Sequence, residues 1–205
     1  MFHVKHPAWV EDAGRLGIEL SHPQWDALDR YRNLLVDGAI PRGMIAAADA
    51  DRLWSRHIRD GLRGASWIAP ETQVADLGSG AGIPGLPLAI ARPQASFVLM
   101  ESRRARASFL ESVVDDLALR NVEVFPGRVE SWASRRFDVA VARALAPPRA
   151  SWTAAATILA SQGRLVYWAG TGFDVTDLEG IGVSARVSTR SGLADDGPLV
   201  IMARQ

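Results

Sequence analysis

The 205-residue chain contains no cysteine. Disulfides and thiolate metal sites are therefore excluded, and no metal is expected. Lysine is nearly absent too, since every basic residue except Lys5 is an arginine. Net charge is zero, with 23 basic residues against 23 acidic ones, which argues against a general nucleic-acid binder held by bulk charge. No apolar run approaches the ~18–20 residues that a membrane helix needs. The opening Phe2-His3-Val4-Lys5-His6-Pro7 is not a basic region followed by an apolar core, so no signal peptide is expected. A cytoplasmic location with no membrane partner follows as the expectation. The length suits one compact unit with a real core.

What the chain does have is glycine in one place. Val74 to Pro87 reads VADLGSGAGIPGLP, with Gly78, Gly80, Gly82 and Gly85 at close spacing. Apolar residues lead in, and Leu86 to Ala91 continues as a helix-like apolar run. This pattern predicts a strand, a glycine turn and a helix start. Glycine accepts positive φ and lets a ligand lie against backbone, and a helix start offers free N–H groups. A dinucleotide fingerprint needs three glycines and an acidic residue about 20 positions on. The stretch contains that pattern loosely at Gly80, Gly82 and Gly85, but it also carries Asp76 two places before its first glycine. A carboxylate there suits a ligand with a cationic amino-acid part and would repel a pyrophosphate. The run Asp76-Leu77-Gly78-Ser79-Gly80-Ala81-Gly82 resembles the first motif of class I methyltransferases, which bind S-adenosylmethionine.

Around this turn the chain alternates. Residues 8–66 are predicted to be helical, with Ser21 capping a helix ahead of Pro23. Strands are predicted at Phe97–Met100, Val122–Phe125, Phe137–Ala142 and Arg164–Trp168, with helices at Phe109–Leu119 and Ala150–Leu159 between them. Val183–Val187 and Leu199–Ala203 follow without an intervening helix. The fold class expected is α/β: a mostly parallel Rossmann-like sheet with one antiparallel strand, residues 67–205, behind a helical extension, residues 1–66. Glu101 ends the second strand, 25 residues after Asp76, where a carboxylate can accept from both ribose hydroxyls.

The charge is not evenly spread. From Arg42 to Arg149 there are 15 basic residues against 12 acidic ones. Arg52, Arg56, Arg59 and Arg63 fall three or four apart, which predicts one helix face able to meet phosphates. Trp54, Trp132 and Trp152 are candidate stacking partners for a splayed base.

Five blocks occur in series: Arg56-His57-Ile58-Arg59-Asp60, DLGSGAGIPGLPLAIARP, LMESRRARASFL, GRVES and FDVAVARA. Together they resemble the bacterial small-subunit ribosomal RNA guanine-N7 methyltransferase family (RsmG, also called GidB), from about Arg52 to Ala146. The resemblance implies a class I methyltransferase fold, S-adenosylmethionine as donor, and one guanine of 16S rRNA as acceptor. Its partner would be 16S rRNA or the small ribosomal subunit, with no DNA, and the chain would act as a monomer. By position the resemblance assigns the cofactor to Gly78, Ile83, Val129, Glu130 and Arg143. Asp76, Gly80 and Glu101 join them on the local argument. Arg143, just past the fourth strand, is also the candidate catalytic residue. Arg56, His57, Arg103, Arg106 and Arg128 are the candidate RNA contacts. The family tends to carry lysine where this chain has Ala105, and Lys-Gly where it has Ala169-Gly170.

The chemistry fits what is missing. Guanine N7 carries a lone pair and no proton, so methyl transfer to it needs no general base. Methylation at pyrimidine C5 usually needs a cysteine nucleophile, which this chain lacks. Amino-group methylases show Asp/Asn-Pro-Pro-aromatic after the fourth strand, and this chain has Ala146-Pro147-Pro148-Arg149 there. Two alternatives stay open: a small-molecule methyltransferase, and a non-catalytic nucleotide-binding module. Met1–His6 is compatible with codons that contain a palindrome, so a DNA-level constraint on that peptide is a hypothesis that the gene's nucleotide sequence would decide.

Overall fold

The structure is a computed structural model that describes residues 7–188 and 197–205. Met1–His6, and any constraint on it, lies outside the described residues. Two helices open the described chain, α1 (Pro7–Arg15) and α2 (His22–Leu34). Ser21 precedes α2 as expected, and its N–H donates to Gln24 Oε1 at 2.8 Å, closing the helix start. From Leu35 to Trp67 the chain is a series of short irregular helical turns, broken by a non-helical stretch at residues 40–46. A π turn at Leu35–Ala39, a 3-10 turn at Ala47–Arg52 and a π turn at Leu53–Ile58 lead into short α3 (Arg59–Leu62). A 3-10 turn at Arg63–Trp67 ends this region.

The sheet follows, with β1 (Gln73–Leu77), α4 (Gly85–Ala91), β2 (Ser96–Met100), α5 (Arg104–Asp116) and β3 (Val122–Phe125). Next come β4 (Phe137–Arg143), α6 (Pro148–Ile158), β5 (Leu159–Trp168), β6 (Val183–Val187) and β7 (Leu199–Arg204). Strand order is β3-β2-β1-β4-β5-β7-β6. The pairs β3·β2, β2·β1, β1·β4 and β4·β5 are parallel, while β7 runs antiparallel to both β5 and β6. The single reversed strand expected from the final hairpin is therefore β7. The fifth strand begins at Leu159, five residues before its predicted start.

Side chains alternate between two cores. Val74, Phe97, Leu99, Val139, Val141, Val166 and Ile201 face one, which also holds α4, α5 and the apolar side of the N-terminal helices. Ala75, Leu77, Val98, Ala140, Leu165 and Val200 face the other, filled by Trp152, Ala155 and Ile158 of α6. Both faces of the parallel strands are covered, which is why their sequences are apolar at successive positions. Gln24 Nε2–H donates to Ile90 O at 2.8 Å and the Tyr31 hydroxyl donates to Ala81 O at 2.8 Å, so α2 holds α4 and the glycine loop directly.

Candidate functional site

The parallel strands end together at their carboxyl edge, where such sheets bind ligands. The loop after β1 turns on positive φ at Gly78, Gly80 and Gly82 (68°, 57° and 100°). The N–H groups of all four glycines are already committed. Those of Gly78 and Ser79 donate to Met100 O, that of Gly82 to Ser79 O, and that of Leu86 to Gly82 O. The Gly80 N–H donates to Glu101 Oε2 at 3.1 Å, and the Gly85 N–H to Asp76 Oδ2 at 3.1 Å. The helix start is thus not the free N–H donor set that the sequence suggests. A pyrophosphate cradle needs those donors, so this loop is poorly built for a dinucleotide.

Asp76 is 1% exposed and turned under the loop. A Cβ on Gly85 would come within 2.5 Å of Asp76 Oδ2 and of Leu99 Cδ2, which fixes glycine there. Burial pushes the Asp76 carboxyl up to about 7, with the Glu101 carboxylate adding to the shift. Its Oδ1 is buried and has no hydrogen-bond partner. Glu101 is 5% exposed, and its Oε1 also accepts from the Arg103 N–H at 2.8 Å. Each of its oxygens keeps acceptor capacity for a hydroxyl.

A cleft opens between these strand ends and α6. Gly78, Met100, Ser102, Arg128, Val129 and Glu130 line it, with Leu145 and Ala146 across from them. Gly78, Val129, Glu130 and Arg128, all chosen from sequence, therefore share one wall. Leu145 leans over the loop, because a Cβ on Gly78 would meet its Cδ1 at 2.5 Å. The turn that places it has Ala144 at φ 52°. Ala146 O anchors this segment by accepting from the Tyr167 hydroxyl and from Ser151 Oγ, each at 3.0 Å. Ile83 is 9% exposed in the core shared with the N-terminal helices, and Gly80 meets Glu101 from the loop.

Arg143 is not on that wall. It lines a second cleft with Arg56, Asp60, Arg63, Ala144 and Trp168, on the other side of the Ala144–Ala146 turn. Its Nε pairs with Asp60 Oδ2 at 3.0 Å, and its Nη2–H donates to Arg56 O at 2.9 Å. Its Nη1 lies 3.4 Å from His57 Nδ1. Asp60 also holds Arg63 Nη1 at 2.7 Å, and Arg63 Nη2–H donates to Gly197 O at 2.8 Å. His57 Nε2 faces Asp49 Oδ2 at 3.2 Å. Sequence reasoning missed Asp49, Arg63's burial and Leu145; Asp60 stood inside the Arg-His-Ile-Arg-Asp block but was given no role.

Two expectations are corrected here. The arginine face is not one exposed stripe. Arg63 has a 2% exposed side chain locked on Asp60, and Arg59 packs near Asp12, while Arg52 and Arg56 remain open to solvent and lean on Asp49. The tryptophans are not free stacking platforms either. Trp54 stacks on Trp9 at 4.4 Å and its indole N–H donates to Asp12 Oδ2. Trp152 is 5% exposed in the core, and Trp132 packs on Phe125 and Phe137. Burying those rings against each other is worth more than leaving them for a transient base. Arg103 and Arg128 are exposed, only Arg128 of the two lining a cleft, and Arg106 is half-buried.

This strand order, with its reversed seventh strand and its clefts at the carboxyl edge, defines the class I methyltransferase fold. Solved structures share it. The ribosomal protein L11 methylase of Lactobacillus delbrueckii subsp. bulgaricus matches with a TM-score of 0.55 at 15% identity, covering 73% of this chain and 79% of that one. The precorrin-6y C5,15-methyltransferase of Geobacter metallireducens matches with a TM-score of 0.51 at 16% identity, covering 78% and 88%. Sequence relatives are nearer. A ribosomal RNA small subunit methyltransferase G of Mycobacterium leprae is 41% identical over 165 residues, 71% of this chain and 66% of that protein. One of Mycolicibacterium paratuberculosis is 36% identical across 95% of this chain and 84% of its own length. Residues 24–173 match the family described as rRNA small subunit methyltransferase G (GidB), and the chain belongs to that family.

Proposed function

We propose that this protein transfers a methyl group from S-adenosylmethionine to N7 of a guanine in small-subunit (16S) ribosomal RNA. The observation that carries the reading is the pair of clefts meeting at the Ala144–Ala146 turn, one fitted to an adenosine and one rimmed by arginine. The residues fit the donor. Val129 and Glu130 in the cleft lining offer an edge to adenine. Glu101 and Asp76 do not line it, but Glu101, between Met100 and Ser102 of that lining, keeps acceptor capacity for a ribose, and the Asp76 Oδ1 without a partner is a buried acceptor beneath the loop. Bound there, S-adenosylmethionine supplies an activated methyl on a cationic sulfur.

The chain's own task is positioning. Leu145 lies against Gly78 at the first cleft, and Arg143 presents a fixed guanidinium at the second. An arginine suits guanine, because its fork can meet O6 while N7 is attacked. Asp76 and Glu101 are bound to backbone N–H groups and Asp60 to two arginines, so these three carboxylates hold structure and leave no ready base. The acceptor N7 needs none. Exposed Arg56 at the second cleft and exposed Arg128 at the first, with exposed Arg103 after β2, favour an RNA over a small metabolite, and they suit a shaped site in an assembled subunit.

Incubating small subunits with the pure protein and methyl-labelled donor, then mapping the RNA by mass, tests this. One 7-methylguanosine in 16S rRNA is expected. Label on another base, or none, would refute it. Binding of NAD in preference to S-adenosylhomocysteine in a calorimetric titration would favour the non-catalytic nucleotide-binding reading instead.

A further inference from the structure

His57 sits between two charged groups that ask opposite things of its ring. On one side Asp49 Oδ2 lies 3.2 Å from Nε2, and a carboxylate can only accept. On the other, Arg143 Nη1 lies 3.4 Å from Nδ1, and a guanidinium can only donate. Both contacts are satisfied at once by a single species: the neutral ring with its proton on Nε2 and its lone pair on Nδ1. The side chain is 12% exposed, so water does not readily substitute for either partner.

We propose that His57, in this tautomer, is the positioning residue for Arg143, and that protonation at Nδ1 releases the guanidinium from its place at the second cleft. This rests on the reading that the second cleft receives the acceptor base. Arg143 has three anchors, and they are not equivalent. Asp60 takes its Nε and Arg56 O takes Nη2, which fixes the inner edge of the guanidinium. His57 alone among the described residues takes Nη1, so it sets the rotation of the outer edge.

The neighbours set the direction of the titration. Asp49 faces the ring from the 3-10 turn before it, Arg56 from its own π turn, and Arg143 from the end of β4; Arg52 lies one layer out on Asp49, and Asp60 one layer out on Arg143. Burial first, and then the Arg143 charge, holds the imidazole below its ordinary value of 6.5, with Asp49 opposing. At neutral pH the ring is therefore the uncharged acceptor that Arg143 requires. Below that depressed value Nδ1 carries a proton, the acceptor is lost, and two cations face each other.

Two measurements together test this. In nitrogen-resolved NMR of the protein alone, His57 is expected in the Nε2–H form, titrating below 6.5, and Arg143→Ala is expected to raise its midpoint. His57→Asn identifies the signal. In methyl transfer to small subunits, His57→Phe is expected to lower turnover on the order of ten- to a hundredfold with donor affinity retained. His57→Asn puts an amide oxygen near the Nδ1 position, so it should keep most turnover and lose the acid limb that the wild-type protein shows. A merely structural histidine would not give a rescue that also removes a pH limb. An Nδ1–H tautomer, or a His57→Phe protein with wild-type turnover and pH profile, overturns the proposal. A wild-type protein that transfers no methyl at all refutes the functional reading instead, and the tautomer and its response to Arg143→Ala still decide the geometry.

Discussion

On the β1–β2–β3 side of the carboxyl edge, polar side chains are held by main chain. Asp76 takes the Gly85 N–H, Glu101 takes those of Gly80 and Arg103, and the glycine loop closes on Met100 O. On the β4–β5 side they are held by each other. Asp49, His57, Arg143, Asp60 and Arg63 form one chain of polar and charged contacts from the N-terminal helical region to the end of β4, with His57 its neutral link. The first side is a rigid local mould, which suits a ligand whose shape never changes. The second is long range and built of side chains, which under the proposed function lets it adjust to an incoming RNA and exposes it to pH.

Single substitutions separate the two sides. The largest effect is expected at Asp76. A carboxyl whose folded pKa is about 7, against an ordinary 3.8, favours folding when protonated. Its contribution is fully present below pH 3.8 and is lost as pH rises through 7, a change of a few kcal/mol. Denaturant titrations of wild type and Asp76→Asn should therefore differ in slope between about pH 4 and 7, the variant lacking this loss. Parallel curves would show that the buried carboxyl is not the titrating group.

Arg143→Ala is next. Turnover should fall about a hundredfold, or roughly 2.7 kcal/mol in the barrier, with affinity for S-adenosylhomocysteine little changed. An equal loss in both would move Arg143 to the first cleft. Gly85→Ala should then cost about 1–3 kcal/mol of stability, since the new methyl meets Asp76 and Leu99 at 2.5 Å. Thermal unfolding would register that as several degrees. The smallest effect is expected at Glu101→Gln, which keeps the size, removes the charge and turns one of the two backbone acceptors into a donor. Calorimetry should show about tenfold weaker binding of S-adenosylhomocysteine, the value of one charge-assisted hydrogen bond. An unchanged affinity would detach Glu101 from the ribose.

The two sides also differ in how far the sequence discloses them. The loop and Glu101 are legible because their parts are close in the chain and each residue type has one conformational or chemical reason. Val74 to Pro87 states its own turn. The charged side is not legible, because His57 and Arg143 are 86 residues apart and nothing local marks them as partners. The Arg52-to-Arg63 spacing predicts an exposed stripe on a regular helix. The chain instead runs through π and 3-10 turns there, which rotate Arg63 inward under Trp168, whose indole N–H donates to Asp60 O. Periodicity cannot foresee that rotation. The early start of β5 is hidden for a similar reason, since Ser161-Gln162-Gly163 carries no strand propensity and is paired only through its neighbours.

The claim beneath all of this is that the first cleft is a donor site and the Ala144–Ala146 turn its border with the acceptor. A crystal structure with S-adenosylhomocysteine tests it most directly. The account predicts adenine against Val129 and Glu130, both ribose hydroxyls on Glu101, and the sulfur pointing past Leu145 toward Arg143. A ligand seated elsewhere, or a cleft that stays filled by Leu145, would contradict it.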